Sequence, residues 1–278
     1  MLRALNAGAI HVSVKNLTEG IDACRIGGFD CLAMSHGLIA DQTADEVNEM
    51  MFDAVVAPGA WGVPFNWRGS EEDFATGFDA MKQQIPKMRD VGVKRCATWI
   101  LPGSNDLSFA ENEVFHRGRL GEIGLLLEDF GMTLGLEFVG PKTLRDQFKH
   151  PFFYDLNGML GFSATVGSNV GLLVDVWHMY TSGSSLDDLA KVSASQISLV
   201  HINDAPAGVE VEAQVDNVRC LPCETGVIDI KSFLNVLRGI GYVGPVEAEP
   251  FDESLKALPS DKDRLEKAGR AMAKAFRV

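Results

Sequence analysis

The chain has 278 residues, 46% hydrophobic and 23% charged, the composition of a globular protein and not of a disordered or fibrous one. A formal charge of −13 supplies no basic field to draw in a phosphate backbone, which excludes nucleic acid as an expected partner. No run approaches the roughly 18 consecutive apolar residues of a membrane span. The opening MLRALNAGAIHVSV reads as a first strand and not a signal peptide, and five cysteines make no disulfide framework, so a reducing cytoplasm is the expected setting.

Short apolar runs alternate with amphipathic helices along the whole chain. Strands are expected at Leu2–Ala7, Cys31–Met34, Ala54–Ala57, Arg95–Ile100, Thr133–Phe138, Gly171–Val176, Ile197–Ile202 and Pro245–Glu249. Phe74, Phe78, Met81, Ile85 and Met88 step along one helical face, and Ile123, Leu126, Leu127 and Phe130 do so before Gly131 ends their helix. Asp229 is placed to cap a helix burying Phe233, Leu237 and Ile240, and a last helix, about Asp261–Phe276, buries Leu265, Met272 and Phe276. Eight such units fit the roughly 250 residues of a closed barrel. The expectation is therefore an α/β fold, a single (β/α)8 TIM barrel over residues 1–278. An open doubly wound sheet is the alternative, but no GxGxxG follows the first strand. The long irregular stretches Pro58–Glu71, Leu101–Asn112 and Ala205–Gly226 all follow strands, on the face where such barrels carry active sites.

That face collects charge. Gly171–Tyr180, GLLVDVWHMY, runs as a buried-type strand into Asp175, with His178 three residues on. A carboxylate closing such a strand would be costly to bury unpaired, so a cation is the sharper reading and an N-capping Asp beside a packed His the plainer one. Glu137 ends strand five and His201 lies on strand seven. On strand eight Glu247 and Glu249 share a parity, and Glu249, nearer the mouth, is preferred. One His and three carboxylates form a hard, oxygen-rich set suited to Mn²⁺, Mg²⁺, Co²⁺ or Zn²⁺, with positions left for substrate. Gly135, of the same parity as Glu137, is expected to leave space beneath it.

GLEFVG, LLVDVWH, HINDAP and GVIDIKSFLNVLRGIGYVGPVEAEPF resemble the xylose-isomerase-like TIM-barrel superfamily of sugar isomerases and epimerases, which includes inosose isomerases, ketose 3-epimerases and hydroxypyruvate isomerases. The resemblance is strongest over 135–251. It implies a metal held by Glu137, Asp175, His201 and Glu249, with His178 and Arg219 on the substrate, both expected in loops past strand ends. It also implies departures. Many relatives end strand two in Glu, where this chain has Met34-Ser35-His36, and Pro222-Cys-Glu-Thr-Gly226 is one residue longer than the usual turn. The trinuclear-zinc endonucleases of the same superfamily need several more histidines. His36 and His178 offer two, but Lys231 stands where a nuclease would carry a His.

The resulting expectation is a divalent-metal-dependent enzyme, with Mn²⁺ preferred, that isomerises or epimerises a non-phosphorylated keto sugar or keto polyol through a metal-stabilised enediolate. Glu137 and Glu249 are the proton-transfer pair. A lyase or dehydratase using the same site on a keto-inositol or 3-keto-glycoside is the alternative, and a non-catalytic metal-binding barrel the third reading. The partner is a small carbohydrate; assembly as a homo-oligomer is left open. Trp99, on strand four, is the expected pocket wall among Trp61, Trp67 and Trp99. Arg68 could bind an anion but reads rather as a surface salt bridge, Cys220-Leu-Pro-Cys223 as incidental, and His11, His116 and His150 as surface or packing residues.

Overall fold

In the computed structural model, which describes residues 1–277, eight strands close a parallel barrel. They are β1 (Leu2–Leu5), β2 (Cys31–Met34), β3 (Ala57–Gly62), β4 (Arg95–Ile100), β5 (Thr133–Phe138), β6 (Val170–Asp175), β7 (Ile197–Ile202) and β8 (Pro245–Ala248). Each pairs with its neighbours in chain order, and β8 closes on β1 through Leu2–Pro245 and Ala4–Glu247. The expected barrel is the observed one.

Helices follow the strands: α1 (Leu17–Gly27), α2 (Ala44–Ala54), α3 (Glu71–Asp90), α4 (Phe109–Asp129), α5 (Leu156–Val166), α6 (Val176–Ser182), α7 (Ile230–Gly239) and α8 (Asp261–Phe276). Their starts are written locally. Thr43 with Glu46, Ser70 with Asp73 and Ser108 with Glu111 form reciprocal capping boxes, and Asp229 accepts the Ser232 amide at the head of α7. The apolar stripes then face the barrel: Phe74, Met81, Ile85 and Met88 are buried on α3, and Leu265 and Met272 on α8, while Phe78 and Phe276 are only half-buried. No helix among the described residues is long and apolar enough to cross a membrane.

Strand three differs from expectation. Ala54 completes α2, Val55 turns the chain in the left-handed region at φ 57°, and the strand begins at Ala57. The apolar AVVA run looked like a strand, whereas the real one contains Pro58 and Gly59, residues that normally speak against strand structure. A Cβ on Gly59 would lie 2.6 Å from the Leu32 carbonyl oxygen, so glycine there lets β2 and β3 approach. Pro58–Gly62 is consequently strand and not loop, and Gly103–Ser104 pairs antiparallel with His150–Pro151 in a small sheet beside the mouth.

The large core lies between barrel and helices. Inside the barrel a smaller cluster of Ala60, Ala97, Leu173 and Leu199 forms the floor of the site. Its alanines face its leucines, so the interior is roomier on the β3–β4 side. Gly135 works differently from expectation: a Cβ there would come within 3.0–3.1 Å of Ser198 and the β6 backbone, so the residue permits close strand packing instead of leaving a void.

Candidate metal centre

Parallel register carries the chemistry to one level. Trp99 pairs with Glu137 across β4–β5, Asp175 with His201 across β6–β7, and His201 with Glu247 across β7–β8. Glu249 follows two residues later, on the same face and nearer the mouth. Ligand-type atoms of Glu137, Asp175, His201 and Glu249 all lie within 4.8 Å of one another, the one such group among the described residues. His201 Nδ1 is 3.3 Å from Glu137 Oε1, 3.3 Å from Glu249 Oε2 and 3.9 Å from Asp175 Oδ2. Neither ring nitrogen of His201 nor Glu137 Oε1 completes a hydrogen bond of good geometry, although all three are buried. Buried donors converging without partners fit a divalent ion, whose bonds of about 2.0–2.2 Å to nitrogen and oxygen nearly span that spread.

Asp175 performs the N-capping of the plainer reading and also offers an oxygen to the ligand group. Its Oδ1 caps α6, accepting the Trp177 and His178 amides at 2.6 and 3.3 Å, while its Oδ2 faces the cluster and accepts from Asn203 Nδ2 and Arg219 Nη1 at 3.0 and 2.9 Å. Asn203 also accepts the Glu249 amide at 2.6 Å, tying the ends of β6, β7 and β8 together. Asp204 anchors the loop after β7 by accepting the amides of Thr225, Gly226 and Ile228. Neither residue was singled out from the sequence, although the HIND run at the end of strand seven contained the signal.

His178 and Arg219 both reach the site, Arg219 from the loop after β7 as expected and His178 from the helix α6 and not from a loop. His178 is buried on α6, its Nδ1 meeting the Gly140 amide at 3.2 Å and its Nε2 the Arg219 guanidinium at 3.1 Å. A neutral ring has one acceptor nitrogen for these two donors, so one of the contacts sets N–H against N–H. Arg219 is likewise buried and bridges Asp175, Glu249 (3.2 Å) and Asp216 (2.8 Å).

The electrostatics reflect this crowding. Burial, with help from Glu249 and Asp175, pushes the Glu137 carboxyl up to about 7. Burial also raises Asp175, against the pull of Arg219 and His201. For Glu249 burial acts upward, but His201 and Arg219 outweigh it and hold the carboxyl below its ordinary range. For His201 burial acts downward, and Glu249, Glu137 and Glu247 outweigh it, holding the imidazolium well above its usual value. Burial together with Arg219 and His201 keeps His178 neutral.

Two chambers meet at this cluster, sharing Trp99, Glu137 and Glu249 as walls. The inner one, about 290 Å³, opens over Asn6, Met34, Trp61 and Leu199. The outer, about 630 Å³, is bounded by His11, His178, Asn217, Arg219 and Phe251. Trp99, 46% exposed, lines both chambers. Arg68 is not a surface ion pair. Its guanidinium lies 4.0 Å from the Trp67 ring and 3.8 Å from the Trp99 ring, with its pKa pushed down to about 10 by burial. His11, read as a surface or packing residue, lines the outer chamber; His116 packs against Trp67 as expected. Neither His36 nor His178 joins the ligand group. All five cysteines are free, Cys220 and Cys223 included.

A closed parallel barrel with four ligand-type groups gathered at the mouth defines a class, the TIM-barrel proteins with a candidate metal centre over the strand ends. More narrowly, the chain belongs to the xylose isomerase-like TIM barrel family, whose model matches residues 21–275. The inosose isomerase of Halalkalibacterium halodurans is 29% identical over 257 residues, 89% of this chain and 87% of that protein. A xylose isomerase domain protein from Alicyclobacillus acidocaldarius superposes with a TM-score of 0.86 at 25% identity, covering 99% of this chain and 97% of that one. The IolI protein, solved with a zinc atom bound, has a TM-score of 0.78 at 21% identity over the full length of both chains. The chain is an enzyme of the isomerase and epimerase type.

Proposed function

We propose that this chain, acting as one domain in a reducing cytoplasm, isomerises or epimerises a non-phosphorylated keto sugar or keto polyol with a divalent ion, Mn²⁺ first among the candidates. The observation that carries the reading is the position of Glu137 and Glu249. Both contribute to the ligand group, and both line the two chambers that a substrate would span. Glu137, Asp175, His201 and Glu249 would hold the ion, which when bound supplies Lewis acidity that polarises a carbonyl and acidifies the adjacent C–H.

The remaining work belongs to side chains. One glutamate takes the proton α to the carbonyl and the other returns it, each within reach of one side of the bound carbon. His178 and Arg219 orient hydroxyls from the outer chamber, and Trp99 offers an indole face to the sugar ring. Neutral substrates fit best: Arg219 is the one Lys or Arg among the chamber-lining residues, and three carboxylates already engage it. The inosose isomerase relatives make inososes natural first candidates. A turnover screen of ketohexoses, inososes and 3-keto-glycosides with added Mn²⁺ tests this. Conversion of a ketose or inosose to an isomer of identical mass supports it, and expulsion of water or a glycosyl group would mark a lyase instead.

A further inference from the structure

We propose that Glu247, itself oriented by Asn6, is a positioning residue that fixes His201 in the tautomer able to bind a metal. Glu247 shares the parity of Glu249 but lies farther from the mouth, and the catalytic reading above gives it no task. Yet it is 2% exposed, deep in the barrel, and such a carboxylate needs a reason to be there.

The reason lies in how the imidazole is aimed. Nδ1 of His201 points into the ligand group, 3.3 Å from both Glu137 and Glu249. Nε2 has Glu247 Oε2 at 3.5 Å. A neutral imidazole carries one N–H. If the proton sat on Nδ1, the lone pair of Nε2 would face a carboxylate, and no lone pair would reach the ligand group. With the proton on Nε2 both nitrogens are satisfied: Nε2–H points at a carboxylate and Nδ1 offers its lone pair to an ion. A carboxylate behind a ligating histidine selects tautomer and orientation in this way.

The support for Glu247 is also built in. Parallel register places Ala4, Glu247 and His201 side by side across β1, β8 and β7. Asn6, two residues beyond Ala4, donates from Nδ2 to Glu247 Oε2 at 3.1 Å. His201 Nε2 is buried without a hydrogen-bond partner, and a shift of a few tenths of an ångström toward Glu247 Oε2, 3.5 Å away, would close one. Glu247 does not belong to the four-residue ligand group, so it stands behind the histidine and not beside it.

The inference rests on the metal reading, and the test separates the two. Mn²⁺ binding is measured calorimetrically on the wild-type protein, then on Glu247→Ala, Glu247→Gln and Asn6→Ala variants that retain the wild-type circular dichroism. Zn²⁺-loaded samples are examined by long-range ¹H–¹⁵N NMR of the His201 ring. The expected result is wild-type binding with Nε2 protonated, and affinity lowered about 10- to 100-fold in Glu247→Ala, the range for groups that orient a metal ligand. Glu247→Gln, whose amide oxygen can still accept from Nε2–H, should recover part of that loss, and Asn6→Ala should lose a few-fold. If Glu247→Ala fails to fold, the other two variants carry the test. A wild-type protein that takes up no ion overturns the metal reading and this inference with it. Wild-type binding with unchanged affinity in the variants, or equal losses in Gln and Ala with an unaltered tautomer, overturns this inference alone.

Discussion

Replacing Arg219 by Met removes the cation that bridges Asp175 and Glu249 while keeping an apolar stem against the Trp177 ring, 4.7 Å from the guanidinium carbon. The Arg219 side chain is 2% exposed and that of Asp175 fully buried, with N–O separations of 2.9 Å to Asp175 and 3.2 Å to Glu249. At an effective dielectric near 20, a pair of charges about 4 Å apart attracts by about 4 kcal/mol. Breaking a buried pair by removing one partner typically destabilises by about 3–5 kcal/mol, because the other charge stays behind unpaired. For a chain of this size that corresponds to a fall in Tm of roughly 6–20 °C. A divalent ion at the ligand group would face the same two carboxylates and offset much of the loss. Thermal melts of wild type and Arg219→Met, with chelator and with saturating Mn²⁺, provide the assay. The expected deficit is large in chelator and less than half as large with the ion, so the variant gains more from metal than the wild type does. An equal deficit under both conditions would refute the idea that arginine and metal answer to the same carboxylates.

An Asp175→Ala, His201→Ala double variant should retain almost none of the roughly one equivalent of metal that elemental analysis is expected to find in loaded wild type; unchanged content would sink the ligand assignment. Metal affinity should rise with pH. The carboxylates around His201 hold its proton above the usual histidine range despite burial, so an ion must displace that proton on binding. Calorimetry at about pH 6 and about pH 8, on either side of the ordinary histidine value, should show weaker binding on the acid side, and a flat or reversed dependence would contradict the site as described.

The barrel was readable because a strand covered on both faces announces itself as an apolar run, and β5, β6 and β7 are such runs with polar residues at their ends. β3 was misplaced because its sequence, APGAWG, is shaped by a close approach to β2 and not by strand propensity. Position at the ends of four successive strands pointed to Glu137, Asp175, His201 and Glu249, whose ligand-type atoms lie within 4.8 Å of one another. The supporting groups were less legible. Asn6 and Asn203 act through contacts to the ends of other strands, with Asn6 241 residues from Glu247, and Asp204 through amides farther along its own loop. Arg68 misled for a related reason: its partners are the faces of Trp67 and Trp99 and not a carboxylate, and no local pattern records ring geometry.

Solvent exchange tests the central claim most directly. A substrate from the turnover screen is incubated with metal-replete wild type in D₂O, with metal content measured on the same samples, alongside metal-replete Glu137→Gln and Glu249→Gln. The account predicts deuterium entering at the carbon α to the carbonyl, and conversion falling by about two to four orders of magnitude in each variant, the range for an acid–base residue. Full activity in both metal-replete variants would contradict it.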